Sequence, residues 1–364
     1  MAGIDRRAIL AQIHELMEAV MAREFIRKSR RQILRIIVVA LAVGCLPGRG
    51  MAGADEPKKA KDVSEQIVDT MNAIFGKHPG YRAAHAKGIV CEGEFTPAPT
   101  AAGLSRAPHL QVQGKPVRVT VRFSDSTGIP TVPDGSPDAN PHGLAVRFHL
   151  SEGGSTDIVS NAYNGFAVST AEDFLALLQA LVGSGPDAPK PKPIEKFLAT
   201  HPKAVKAITA PKPTPVSFAT EPYFGVNAFL FTNRDGKARY GRYQFRPEAG
   251  EEYLSEQDAA KRPANFLIDE LGGRLSKGPA KFRLVVQLAA EGDPVNDATA
   301  VWPNDRPTVE LGVLSVNHPV ADNDAAQRAL AFDPLRLVDG IEGSDDPLLE
   351  ARSSIYAVSR RRRR

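Results

Sequence analysis

Two residues four apart near the C-terminus, Arg352 and Tyr356, have the types and spacing to hold a metal ion. Asp346 suits a helix N-cap, and Pro347 is tolerated in the first turn, where its missing N–H would have had no partner. Leu348, Leu349, Arg352 and Tyr356 then follow at helical intervals, which stacks Arg352 and Tyr356 on one face. A guanidinium keeps its charge, so it favours the phenolate form of a neighbouring phenol. A phenolate is a hard anion suited to ferric iron. Taken alone, the same spacing also describes a surface arginine packed over a helix tyrosine. The rest of the chain decides between the two.

The segment His78 to Phe95 holds His85 where Pro79, Gly80 and Gly88 exclude a helix, and apolar alternation begins after Gly88. Strand alternation recurs in Val117 to Phe123, Leu144 to Phe148 and Phe224 to Phe231, with further strands expected at Ala238 to Phe245, Phe282 to Leu288 and Val309 to Val316. Asn233-Arg234-Asp235-Gly236 reads as a hairpin turn between two of them. Helical patterns run from Val63 to Phe75, Ala171 to Leu181 and Ala264 to Leu275, and Gly183 to Pro193 reads as a surface loop. Many antiparallel strands with inserted helices give an α+β class and suggest a barrel or a strongly curled sheet.

The segments Arg82-Ala83-Ala84-His85-Ala86-Lys87-Gly88 and Val121-Arg122-Phe123-Ser124 resemble those of haem catalases. Asp157-Ile158-Val159-Ser160-Asn161, Gly225 to Phe229, Trp302-Pro303 and Phe332-Asp333-Pro334 through Gly340-Ile341-Glu342 to Tyr356 follow in the catalase order. The chain is short for that family, and with its export signal it is similar to the small catalase-related peroxidases. This resemblance implies a catalase-like antiparallel β-barrel with inserted and flanking helices, holding haem, of b type, and its iron. It implies His85 as distal acid/base, Asn161 as its partner on the peroxide, and Tyr356 as the axial iron ligand that catalases use. Arg352 would hold Tyr356 as phenolate, Arg82 and Arg122 would pair with the propionates, Ser124 would orient His85, and Phe166 would be a distal-pocket aromatic. The activity implied is reduction of hydrogen peroxide or small organic hydroperoxides through a ferryl intermediate, with weak or no catalase activity and a small electron donor.

Residue chemistry supports these roles independently. Heterolysis of an O–O bond needs a proton moved between the two oxygens, and a neutral histidine does both halves of that transfer. An amide donates a hydrogen bond without titrating, which suits Asn161. Each residue also has a plainer reading: His85 as a structural histidine, Asn161 as a turn residue before Tyr163-Asn164-Gly165, Arg122 as part of a solvated strand face, and Phe166 as core. His109, His142, His149, His201 and His318 show no metal-ligand spacing and read as ordinary.

Where catalases place a histidine near the proximal arginine this chain has Asn227, so the hydrogen bonds around Arg352 must differ. Asp346 matches the family's acidic partner of that arginine. Beyond Tyr356 the catalase pattern gives way to Ala357-Val358-Ser359 and Arg360 to Arg364. Helical spacing puts Arg360 and Arg363 on the tyrosine's face, within reach of a propionate; an unstructured basic tail is the other reading.

Two other functions fit parts of the pattern. Some catalase-like barrels rearrange fatty-acid hydroperoxides to allene oxides, but there a threonine before the distal histidine restrains it, and Ala84 cannot. A non-enzymatic haem-binding protein would need Tyr356 and the arginines without a proton shuttle.

The 364 residues carry a net charge of +4, and the excess of basic residues gathers at the two ends with no aromatic-plus-basic motif, which argues against nucleic-acid binding. Residues 1–54 read as an export signal with an extended n-region, and 55–364 as a single catalase-like haem-binding domain. Arg30-Arg31 ahead of the apolar run Ile36 to Leu46 resembles a twin-arginine signal, and Ala52-Gly53-Ala54 offers a cleavage site. The expected location is the periplasm, with membrane association only through an uncleaved signal. Of the two cysteines Cys45 would leave with the signal, so Cys91 has no partner for a disulfide. No segment specifies an oligomeric state.

Overall fold

The computed structural model describes residues 62–111 and 115–363; the export signal read at 1–54 lies outside them. The described residues fall into two compact units, one containing Gly183–Thr200, the other residues 62–182 with 201–363. Within Gly183–Thr200 the Pro and Lys-rich stretch gives way to a helix, Pro193–Thr200, whose Ile194 N–H donates to Ser184 Oγ at 2.9 Å. Among the described residues no helix is long and apolar enough to cross a membrane.

The larger unit is built on ten antiparallel strands: β1 (Gly88–Pro97), β2 (Val117–Ser124), β3 (Gly143–His149), β4 (Ser155–Asn161), β5 (Tyr223–Phe224), β6 (Phe229–Thr232), β7 (Ala238–Pro247), β8 (Ala280–Leu288), β9 (Thr308–Pro319) and β10 (Ile341–Gly343). The order β7-β5-β4-β3-β2-β1-β9-β8 closes on itself because β8 also pairs with β7, giving an eight-stranded barrel. β6 and β10 extend the sheet from β7. The α+β barrel expected from alternation is therefore present, and closure leaves its eight strands without an edge.

Alternating burial along β1 after Cys91 sends every second side chain inward. Phe95, Phe123, Phe148, Tyr223, Phe245 and Phe282 meet there, all fully buried. Each such side chain contributes roughly 1.5–3 kcal/mol of burial. At the far end of β2 the alternation stops and Val121 to Ser124 are all buried, because a second layer of chain, the loop carrying His85, covers the outer face.

The expected strand from Phe224 to Phe231 is broken. Gly225 still donates to Tyr243 O at 2.8 Å, but Val226 to Ala228 leave the ladder and β6 resumes at Phe229. The side chain of Asn227 is engaged elsewhere, as described below. The hairpin turn at Asn233 forms as expected, with Asn233 N–H on Lys237 O at 3.0 Å and Gly236 at φ 77°.

Three helices cover the barrel near the reactive residues. Val63–Phe75, capped by Asp62, packs its Ile67, Val68 and Met71 against Leu178 of helix Ala171–Val182 and against Ile355 and Val358 of helix Pro347–Arg362. Ala83, Ala84 and Tyr356 belong to the same apolar cluster, which seats the His85 loop against the C-terminal helix.

Candidate active site

One cross-strand row assembles the distal side. Gly88 of β1, Ser124 of β2, Gly143 of β3, Asn161 of β4 and Phe224 of β5 face one another in register. His85 lies in the loop leading into β1, fixed by its N–H on Ser126 O at 2.9 Å and by Ala86 N–H on Thr127 O at 2.9 Å. Its φ of 54° is the only positive value at a non-glycine position among the described residues. Such a conformation costs on the order of 1–3 kcal/mol and persists only where the surroundings over-determine it. It lays the ring beside Ser124, with Nδ1 3.2 Å from Oγ. Gly143 provides the floor: a Cβ there would stand 2.8 Å from Ser124 Oγ and 3.1 Å from His85 Nδ1.

Burial, and next the charge of Arg122, push the His85 imidazole down to about 4, against a hydrogen bond to the Asp125 carbonyl that acts the other way. At neutral pH the ring is therefore uncharged and able to accept a proton. Asn161 Oδ1 accepts the Tyr163 N–H at 2.8 Å. The turn reading of Asn161 thus holds, and anchoring the oxygen leaves the amide N–H groups to donate.

The proximal side hangs on the C-terminal helix. Asp346 caps it, with Oδ1 on Leu348 N–H at 2.9 Å, and Pro347 opens the first turn as expected. Arg352 donates to Tyr356 Oη at 3.2 Å and also to Asn227 Oδ1. Asn227 in turn donates to Asp346 Oδ2 at 2.8 Å. Asp346 therefore reaches Arg352 through Asn227, and this linkage occupies the side chain that leaves the ladder between β5 and β6.

Three guanidiniums converge beside these two groups. Arg122, 4 % exposed, donates to Gln327 Oε1 at 2.7 Å and to His85 O at 2.7 Å. Arg82 donates to Leu330 O at 2.7 Å, and Arg363 to the same oxygen at 2.6 Å. The acceptors of Arg122 and Arg82 are neutral. Burial and then Arg363 lower Arg122 to about 9, with Asp125 opposing; burial and then Arg122 and Arg363 lower Arg82, with Tyr356 opposing. Like charges held this close together make a site that a dianion would complete. The helix continues to Arg362, which resolves the basic tail as structured and brings in Arg363, a member that spacing alone left open.

Phe166 packs edge-on to Phe174 at 5.4 Å and against Val226, Ala298 and Leu348. Sequence reasoning missed one feature behind the distal floor. His142, read as ordinary, is fully buried with Nδ1 2.9 Å from Glu221 and Nε2 3.7 Å from Asp125. Burial alone would lower its pKa, but Glu221 and Asp125 raise it. Burial pushes Asp125 up in turn. The signal available was that Asp125 and His142 are chain neighbours of Ser124 and Gly143.

A profile of the catalase family matches residues 61–364. The chain belongs to the catalase family. Within it, similarity falls in the catalase-related peroxidase branch: a catalase-related peroxidase of Mycolicibacterium paratuberculosis is 37% identical over 298 residues, covering 81% of this chain and 93% of that one. Another from Synechococcus elongatus is 33% identical over 299 residues, covering 81% and 87%. A catalase of Pseudomonas syringae pv. syringae is 28% identical, and there the match spans 84% of this chain but only 61% of the relative. The fold is that of a solved fungal catalase (TM-score 0.69, 23% identity, 88% of this chain and 66% of that one) and of a bacterial one (TM-score 0.68, 24% identity, 90% and 68%).

The residues present suit the haem that this family implies. A phenol that accepts from an arginine, clustered cations, and a histidine seated close over a glycine suit an iron, two propionates and a planar ring.

Proposed function

We propose that this protein is a haem peroxidase that reduces hydrogen peroxide or small organic hydroperoxides at the expense of a small electron donor, with weak or no catalase activity. The observation that carries the reading is the uncharged His85, fixed by Ser124 and Gly143 in the same row as the Asn161 amide. A haem-binding protein without turnover has no use for that pair.

Haem, of b type, would supply the iron and the two electrons that reduce the peroxide, which the donor then restores; Tyr356 would be the iron's ligand, Arg352 would stabilise its phenolate, and Arg82, Arg122 and Arg363 would hold the propionates. His85 Nε2 takes the proton from one peroxide oxygen and returns it to the other, so that the O–O bond breaks with water, or the alcohol of an organic hydroperoxide, as the leaving group. Asn161 donates to the peroxide and steadies the developing charge without competing for the proton. Ser124 keeps the imidazole oriented between the two transfers. Ala84 offers no hydroxyl to restrain that ring, which favours proton transfer over the rearranging lyase chemistry.

The test is to compare peroxide-dependent oxidation of a phenol with dioxygen evolution in the haem-loaded protein. Donor oxidation should dominate and should fall by about 10²–10⁴-fold in His85→Ala. Faster dioxygen release, or an unaffected variant, would overturn the reading. We further propose export to the periplasm, on the strength of Arg30-Arg31 and the apolar run after them; retention of an Arg30→Lys, Arg31→Lys variant in the cytoplasm would support it, and unchanged export would count against it.

A further inference from the structure

We infer that a cavity beside Tyr356 is the docking site for the reducing substrate, and that it takes a small aromatic anion, a phenol bearing a carboxylate. Its role as a donor site rests on the peroxidase reading; its chemistry does not.

The cavity measures about 320 Å³ and is lined chiefly by Phe332, Arg336, Ser353, Tyr356, Arg360 and Arg361. That volume is at the lower end of the roughly 300–1,000 Å³ typical of small-molecule sites. His85, Asn161, Arg82 and Arg122 do not line it. It shares with the haem groups Tyr356 and also Arg360, which helical spacing set within reach of a propionate; with the propionates assigned to Arg82, Arg122 and Arg363, it is a neighbouring space.

Its electrostatics select for an anion. Three guanidiniums stand in the wall against one carboxylate, Asp333, whose Oδ1 accepts the Leu335 N–H at 2.9 Å. Arg336 is held by Asp157 at 2.9 Å, and Arg361 meets Glu65 at 3.2 Å in an exposed pair. Arg360 is exposed, and its side chain makes no hydrogen bond or ion pair with another described residue. It is the cation available to a ligand, and a planar fork suits a carboxylate. Phe332 supplies an aromatic wall; Arg147 lies 5.3 Å from its ring centroid, and the ring still borders the cavity. A flat ring carrying a carboxylate satisfies both features.

The placement suits electron transfer, because a donor here would lie against the side chain assigned to the iron. Each phenol gives up one electron and its hydroxyl proton. Two such molecules reduce one hydrogen peroxide to two waters and leave two phenoxyl radicals, which couple in solution.

The experiment uses the haem-loaded protein with 4-hydroxybenzoate and its uncharged counterpart 4-hydroxybenzamide, in the wild type, Arg360→Glu and Arg360→Lys. The wild type should show the lower KM for the benzoate, and Arg360→Glu should shift the ratio of the two KM values by about tenfold, as expected for loss of a charge-assisted hydrogen bond. Arg360→Lys should retain part of the preference. Calorimetric titration with 4-hydroxybenzoate in the absence of peroxide decides the site separately from turnover: binding to the wild type that is lost in Arg360→Glu is expected. An unchanged KM ratio, or binding that Arg360→Glu leaves intact, would overturn the proposal while leaving the peroxidase reading in place. If neither phenol were oxidised, the peroxidase reading would fail, and the titration alone would still show whether the cavity binds the anion.

Discussion

Asn227 donates to Asp346 at 2.8 Å, which fixes the amide so that its oxygen faces the guanidinium of Arg352. The amide is 1 % exposed and carries no proton that titrates. It transmits the position of the helix cap to the arginine that donates to Tyr356, through an amide that does not itself titrate.

Asn227→Ala should therefore leave buried faces of Asp346 and Arg352 unpaired and destabilise the protein by about 1–3 kcal/mol. Thermal unfolding would register this as a lower midpoint, and the ferric haem spectrum should shift with it as Arg352 loses its orientation. Asn227→Asp should also destabilise, because a second carboxylate would face Asp346.

Gly143→Ala isolates the geometry of the distal floor. The added methyl would meet Ser124 Oγ at 2.8 Å and His85 Nδ1 at 3.1 Å, so the imidazole must move off its seat. The fold and haem content should survive while peroxide turnover falls by about 10²-fold or more, approaching that of His85→Ala. Rapid-mixing measurements with hydrogen peroxide would separate this from loss of haem.

The pH profile follows from His85. Its folded imidazole titrates at about 4, lowered by burial and then Arg122, so the neutral base persists well below neutrality. Turnover should stay level from pH 7 to about pH 5 and fall with a midpoint near 4. The sign for stability is set by the unfolded value near 6.5: between about 6.5 and 4 the unfolded chain binds the proton and the folded one does not. The His85 contribution therefore weakens the fold as pH falls through that window. A turnover midpoint near 6.5 would contradict the burial argument.

Arg82 gives a test with two opposite signs. Its charge is held against Arg122 and Arg363 on neutral acceptors. Arg82→Gln should lower haem affinity by about tenfold, the loss expected for one charge-assisted hydrogen bond. The haem-free protein should melt no lower than the wild type, because a like-charge repulsion has been relieved. Titration with haem and melting of the haem-free form would check the two parts.

Legibility in the sequence followed the distance over which each feature is encoded. The helices Val63–Phe75 and Ala171–Val182, the hairpin at Asn233 and most strands were local patterns of alternation, capping and turn chemistry, and they formed within a few residues of expectation. His85, Ser124, Asn161, Arg352 and Tyr356 stood in contiguous motifs that a resemblance can read, and the structure sets His85 beside Ser124 and Arg352 beside Tyr356. The break in the strand at Val226 to Ala228 was not visible, because its cause is a side-chain partner 119 residues away. The group formed by His142, Asp125 and Glu221 needed the register of separate segments, which no single stretch contains. Arg363 was ambiguous because a run of arginines looks the same in a tail and in a helix.

The most direct test of the account is the ferric absorption and resonance Raman spectrum of the haem-loaded protein, compared with Tyr356→Phe. The wild type should show bands of a tyrosinate bound to iron, absent from the variant, while Arg82, Arg122 and Arg363 still retain haem in it. Identical spectra from the two proteins would mean that Tyr356 is not the ligand, and the arrangement of the site proposed around it would be wrong.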